Sequence, residues 1–188
     1  MKRHIKDNVF ESFPQLTTQR LILSEIKESN AETIFQIRSN IDVMKYVDMP
    51  LHQSINDSLS LIENCSLSFE NKLGISWGIH LKGSNKLIGY AGIWRITREH
   101  FRGEVGYAML PEFWSNGLMS EALSSIIKCG FEKLGLHSLE ANINPANKDS
   151  IKLIEKLGFK QEAYFIENYY FDGKFIDSAI YSLLESSF

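Results

Sequence analysis

LPEFWSNGLMSEAL, residues 110–123, decides how this chain folds. Before it, a run of small and apolar residues ending at Met109 reads as a strand; from near Leu118, apolar residues recur at helical spacing. Pro111 stops the strand, and Trp114-Ser115-Asn116-Gly117 forms a polar turn. The first turn of a helix leaves its N–H groups without acceptors, and the helix dipole adds partial positive charge there. A glycine-containing turn that runs from a strand straight into a helix therefore lets main-chain donors converge on an anion. On the plainer reading, Gly117 only lets the chain turn. No Gly-Lys-Ser/Thr follows, so this is not a Walker loop, and the three-glycine dinucleotide fingerprint is also missing.

Working outward, Glu104–Met109 is the strand that feeds the turn. Val105, Tyr107 and Met109 face one way, while Glu104, Gly106 and Ala108 face the other. One face is bulky and the other bare except for a carboxylate, which leaves room for something to lie against the strand. Beyond the turn, the helix pattern continues through Ala122, Ile126, Cys129 and Leu134 to a stop at Gly135. Leu139–Ile143, which contains Asn142, is the next strand, parallel to Glu104–Met109 under the usual right-handed crossover. Pro145 ends it, Asn147 is placed to cap a helix carrying Ile151, Ile154 and Leu157, and Gly158 closes that helix. Asn147-Lys148-Asp149-Ser150 thus opens on the same sheet edge as the Gly117 turn. In open α/β sheets that edge, beyond the carboxyl ends of the strands, is where ligands bind.

The flanks supply the rest of the architecture. Leu21–Ile26 is a short strand, Asn30 caps a helix to Ser39, a helical turn covers Val43–Val47, and Ser54 opens a helix through Phe69. Ile75–Leu81 alternates as a half-buried strand, residues 82–86 turn, and Leu87–Trp94 returns. Phe159–Tyr170 and Phe175–Leu184 are strands joined by Asp172-Gly173, a hairpin signal. The expected result is one domain over residues 1–188, an α/β (α+β) fold whose mixed sheet of about six or seven strands carries helices on both faces.

A chain 44% hydrophobic and 23% charged has a soluble globular profile and argues against disorder. No apolar run approaches the roughly 18 residues of a membrane span. MKRHIKDNVF lacks the apolar core of a signal peptide, so cytoplasm is the expected location. A net charge of −3 without a basic stripe argues against nucleic acid as a partner. The histidines are scattered, and Cys65 and Cys129 sit inside helical patterns as core thiols; no metal site is expected.

Glu104-Val105-Gly106-Tyr107, then FWSNGLMSEAL, then NKDSIKLIEKLGF resemble the GNAT acetyltransferases, and more narrowly their RimJ/RimL-like branch of ribosomal-protein N-terminal acetyltransferases. The resemblance extends from Thr18-Gln19-Arg20-Leu21 to the hairpin Gly173-Lys174-Phe175-Ile176-Asp177. It implies a mostly antiparallel sheet with a splayed central parallel pair, and acetyl-CoA as co-substrate without a metal. The pantetheine arm would pair near Met109 and Leu110, and the turn Trp114 to Ser120 would hold the pyrophosphate. Asn142 and Asn147 would contact the coenzyme arm. Trp114 opens the turn pattern as is common in this branch, while Ser115 and Met119 depart from it.

The resemblance also implies the chemistry. Many relatives protonate the leaving thiolate with a Tyr in the last helix, where this chain has Ile154; the RimJ/RimL-like branch uses a Ser at the helix start, matched by Ser150. Alternatively, Ser150 only completes the first helical turn. For the base, Glu104 is the first candidate because it shares a face with Gly106 and Ala108; its other reading is a surface carboxylate. Tyr107 reads as packing. The expected reaction is acetyl transfer to a primary amine by direct attack, with a protein or peptide N-terminal α-amine as acceptor. The alternatives are a small-molecule amine (antibiotic, amino sugar or polyamine) and a weakly catalytic acyl-CoA-binding sensor. Exposed edge strands in the last hairpin would suit a homodimer as well as a monomer.

Overall fold

The computed structural model describes residues 4–84 and 86–188. Asn85 of the expected 82–86 turn, and residues 1–3 of the opening segment, lie outside the described residues. The strands are β1 (Leu16–Thr17), β2 (Leu21–Glu25), β3 (Ile75–Leu81), β4 (Leu87–Thr97), β5 (Arg102–Met109), β6 (Ser138–Ile143), β7 (Lys160–Phe171) and β8 (Lys174–Leu184). They form one 8-stranded sheet in the order β1-β2-β3-β4-β5-β6-β8-β7. Among the described residues only β5–β6 is parallel; every other neighbouring pair is antiparallel. The mixed, mostly antiparallel sheet is the expected one, with two-residue β1 added, a strand too short for any periodicity to reveal.

The helices are α1 (Ala31–Arg38), α2 (Ile41–Met44), α3 (Ile55–Glu70), α4 (Leu118–Lys128) and α5 (Lys148–Lys156). Ser54 and Asp57 close a reciprocal capping box at the start of α3. Asn30 precedes α1 but does not cap it with its side chain: Asn30 Oδ1 instead accepts the Lys27 N–H at 2.9 Å, closing the preceding 3₁₀ turn. α4 runs on as a π-helix over Cys129–Leu134 and ends at left-handed Gly135.

Two apolar layers hold the helices on opposite faces of the sheet. Leu118, Ala122, Leu123, Ile126 and Ile127 of α4, with Ile154 of α5, bury against Val105, Met109, Leu139, Ala141 and Ile143. Ile34 and Ile37 of α1 and Ile62 of α3 bury against Leu87 and Tyr90 on the other face. Fully burying one such side chain contributes about 1.5–3 kcal/mol, so truncating Ile126 to Ala would cost about 2–5 kcal/mol. Beyond Tyr90, the face shared with α1 and α3 changes character: Glu104, Glu140 and Asn142 are half-buried there, while Val105, Leu139 and Ala141 on the reverse are buried. Among the described residues, no helix is long and apolar enough to cross a membrane.

The parallel pair parts almost as soon as it forms. Its register is Arg102↔Ser138, Gly103↔Leu139 and Glu104↔Glu140, and no pairing continues past Glu104. From there β5 runs on to Met109 and β6 to Ile143 without each other's hydrogen bonds.

Candidate active site

The gap between β5 and β6 is closed at one end by the Glu104–Glu140 pair and flanked at the other by the two strand-to-helix turns. Successive residues of a strand send their main-chain groups to opposite neighbours. Leu110 N–H donates to the Ile88 carbonyl of β4 at 3.0 Å, and its own carbonyl accepts the Phe113 N–H at 3.1 Å. Tyr107 and Met109, of the other parity, therefore present their main chain to the gap. The Trp114 indole Nε1–H already donates to the Met109 carbonyl at 2.7 Å. Of the two residues expected to pair with a pantetheine arm, Leu110 has both main-chain groups engaged, and Met109 retains its N–H.

The turn that follows is wound to point donors outward. Ser115 (φ 59°) and Gly117 (φ 71°) are both left-handed, which spreads the intervening amides rather than stacking them. Gly117 is the N-cap of α4, with no side-chain cap. Its carbonyl accepts the Glu121 N–H at 3.1 Å, while Asn116 to Ser120 find no main-chain acceptor for their N–H groups among the described residues. Arg20, in the bend between β1 and β2, braces the turn from outside. Arg20 Nη1 donates to the Asn116 carbonyl at 2.9 Å, and Arg20 Nε to Glu121 at 2.7 Å. Glu121 also accepts from the Arg20 N–H at 2.8 Å and from Thr18 Oγ1 at 2.5 Å. Burial raises the Glu121 carboxyl, but these donors and the guanidinium together hold it below the usual range. The conformation of the turn is thus tied to the β1–β2 corner.

The second turn is built differently. Asn147 Oδ1 accepts the Ser150 N–H at 3.1 Å, so α5 is capped by its own chain. Ser150 instead offers its hydroxyl, which lies 2.5 Å from the Tyr107 hydroxyl. That contact spans from α5 to β5, so Tyr107 is more than packing. Burial pushes the Tyr107 phenol up to about 12, against the Ser150 hydrogen bond, and keeps it a protonated donor at neutral pH. Ile154, where many relatives carry the acid, is fully buried in the core. Lys148, Lys152 and Lys156 are exposed, as a solvated helix face.

Across the sheet lies Glu104. Its Oε2 accepts from Arg95 Nη1 at 2.8 Å, and its side chain keeps 13% of its exposure. Arg95 reaches it from a β-bulge between Trp94 and Thr97, where Arg95 itself is left-handed at φ 49°. The bare strip of β5 has an occupant from this chain: a Cβ on Gly106 would fall 1.8 Å from Cζ2 of Trp94. Gly106 makes room for the indole, so the strip is an aromatic-covered floor rather than an empty channel. Asn142 belongs to the same face, where its Nδ2 donates to the Tyr169 hydroxyl at 3.3 Å. A groove of about 500 Å³ runs between the 144–148 loop and the final hairpin, lined by Tyr164, Phe175 and Asp177 among others.

The expected residues therefore fall into two groups on either side of one gap: the turn with Ser150, and Glu104. Sequence reading missed Tyr107, Arg20 and Trp94 as members of the site. Their signals are long-range ones, a hydroxyl matched 43 residues away and a guanidinium matched 101 residues away, which no local pattern contains.

Comparison with known proteins supplies the family. A family model described as an acetyltransferase (GNAT) domain matches residues 20–160. The uncharacterized N-acetyltransferase YoaA of Bacillus subtilis is 36% identical over 173 residues, covering 92% of this chain and 98% of YoaA. The ribosomal protein uS5-alanine N-acetyltransferase of Escherichia coli is 30% identical over 108 residues, 57% of this chain and 56% of that enzyme. The crystal structure of RimL, a ribosomal L7/L12 alpha-N-protein acetyltransferase in complex with coenzyme A, has a TM-score of 0.84 at 16% identity. It covers 93% of this chain and 100% of that one, and at such identity it speaks to the fold alone. With the splayed parallel pair, the uncapped turn and these matches in hand, the chain belongs to the GNAT acetyltransferases and is an N-acetyltransferase.

Proposed function

We propose that residues 1–188 work as one domain that transfers acetyl from acetyl-CoA to a protein or peptide N-terminal α-amine by direct attack. The observation that carries the reading is the parting of β5 from β6 between an uncapped, donor-rich turn and a paired Tyr107–Ser150 hydroxyl. The amides of Asn116 to Ser120 hold the pyrophosphate, and the Met109 N–H supports the arm that leads from it into the gap. Acetyl-CoA supplies a thioester whose sulfur leaves as the new C–N bond forms. Ser150 Oγ–H donates to that sulfur, and the Tyr107 hydroxyl orients it. Glu104, on the opposite face, takes a proton from the acceptor nitrogen.

The choice of acceptor follows from acidity and kinship. An α-amine has a pKa of about 7.7–8.0 against about 10.4 for lysine, so one carboxylate suffices to keep it reactive near neutral pH. The relative acting on the alanine of a ribosomal protein supports the same class. The test is release of free thiol from acetyl-CoA with alanine- and serine-initiated peptides, spermidine, glucosamine and an aminoglycoside. Peptide-dependent release is expected. Release with the small amines alone would overturn the N-terminal acceptor, and tight coenzyme A binding without acceptor-dependent release would make the chain a sensor.

A further inference from the structure

Glu104 does not stand alone at the closed end of the gap. Glu140 of β6 is its direct register partner, the last pair before the strands part, and paired residues share a face of the sheet. The two carboxylates therefore sit side by side on the face that carries Trp94, itself the register partner of Glu104 on β4. Each is held by a different arginine: Arg95 on Glu104 and Arg102 on Glu140, both at 2.8 Å. Both guanidiniums are largely exposed, at 70% and 53% of the side chain, while the carboxylates keep only 13% and 18%. The cations thus cap the pair from the solvent side, and the carboxylates form its floor.

We propose that Glu140 is a second catalytic carboxylate, which shares with Glu104 the proton taken from the acceptor ammonium. The inference rests on the reading of this face as the acceptor side. The bulge that throws left-handed Arg95 across β5 commits that guanidinium to Glu104, and Arg95 has Tyr169 of β7 as a further partner. Burial pushes the Glu140 carboxyl up; Arg102 opposes, the charge of Glu104 adds, and Arg95 opposes again. From the remaining neighbours, Ser182 of β8 is the register partner of Glu140, and Lys160 of β7 lies beyond Ser182 in the same row. Two neighbouring carboxylates in one partly dry place favour uptake of one shared proton.

The proton balance is closed by groups already described. The ammonium gives one proton to the Glu104–Glu140 pair, which later releases it to solvent. The neutral amine bonds to the acetyl carbon, and the C–S bond breaks. The thiolate takes a proton from Ser150, and the second proton of the new amide nitrogen restores Ser150 through solvent. One proton is released per acetyl group transferred.

The experiment compares wild type, Glu104→Gln and Glu140→Gln on an alanine-initiated hexapeptide from pH 6.5 to 9.5, with coenzyme A affinity measured alongside. For Glu140→Gln, kcat/KM for the peptide is expected to fall at least about tenfold at pH 7. The deficit should shrink toward pH 9, where the α-amine is already neutral, and the coenzyme A Kd should not move. Loss of the Arg102 ion pair as a purely structural effect would give a deficit independent of pH, and that result overturns the proposal. So does an unchanged kcat/KM. A wild-type enzyme that turns over spermidine but not the peptide overturns the N-terminal acceptor; the same comparison on spermidine then decides the role of Glu140. No turnover with any amine overturns both readings.

Discussion

The two strand-to-helix turns at the mouth of the gap solve the same problem in opposite ways. Both must satisfy the first amides of a helix. At α5, Asn147 does so with its own side chain. At α4 the N-cap is Gly117, which has no side chain to offer, and the amides stay open. The capped turn is free to use its second polar side chain, Ser150, for chemistry; the uncapped one is free to bind. On the proposed reading, the start of α4 can bind an anion because its own cap has been withheld, although both helices present the same N-terminal dipole.

The largest expected effect comes from filling the withheld cap. A β-branched side chain at φ 71° is forced out of the left-handed region, so Gly117→Val must rewind the turn. Coenzyme A affinity should fall by at least about 100-fold in calorimetry, while the loss of stability stays near the ~1–2 kcal/mol of one disfavoured backbone residue. Retained affinity would mean that the open amides do not hold the coenzyme, and the contrast between the turns would lose its meaning.

The capped turn should fail in rate rather than in binding. Ser150→Ala is expected to lower kcat by about 10²-fold, the lower end for general acid–base catalysis, with KM for acetyl-CoA nearly unmoved. Tyr107→Phe keeps the ring and removes the hydroxyl, and should lower kcat about tenfold. Pre-steady-state thiol release separates these from slow product departure. A rise in KM with unchanged kcat would place the hydroxyl pair with the coenzyme rather than with the chemistry.

How far the sequence shows this difference depends on distance along the chain. Gly117 and the Asn147–Ser150 box are local, so their spacing was readable, and the pattern of alternating apolar residues yielded seven strands and the parallel crossover. The Trp94 indole over Gly106 was not readable: a bare strip on β5 says that something fits there, and only the β4–β5 register says what. The same holds for Glu140. Its neighbours Leu139 and Ala141 mark it as the outward residue of a strand, but its pairing with Glu104 exists only once β6 has crossed over. The position of β8 between β6 and β7 is a choice between two ways of laying down one hairpin, and no local residue encodes it.

A smaller effect should follow from loosening the brace on the uncapped turn. Glu121 binds Thr18 and Arg20 through charge-assisted bonds, each worth about 1.5–3 kcal/mol when buried and less at this partly open site. Glu121→Gln should weaken coenzyme A binding about tenfold or less without changing kcat. The pH signature has a definite sign. Because the folded carboxyl lies below its unfolded value, its contribution is present above the unfolded pKa of about 4.5 and is lost as pH falls through the lower, folded one. Urea unfolding below pH 4.5 should therefore show wild type losing stability more steeply than Glu121→Gln. Parallel slopes would mean that the brace is not formed in solution.

The smallest effect tests the cap itself. Asn147→Ala removes the acceptor for the Ser150 N–H and should cost about 1 kcal/mol, within the 0.5–2 kcal/mol seen for such caps. Asn147→Asp keeps an acceptor oxygen and adds a negative charge at the positive end of α5, so stability should return to the wild-type value or slightly above. The kinetic reading is independent of that ledger. With the cap gone, the first turn of α5 frays and Ser150 loses its fixed distance to Tyr107, so kcat should drop while stability falls only slightly; Asp should restore it. If Ala leaves both stability and kcat untouched, the second turn is as open as the first, and what separates them is not capping but the left-handed pair Ser115 and Gly117.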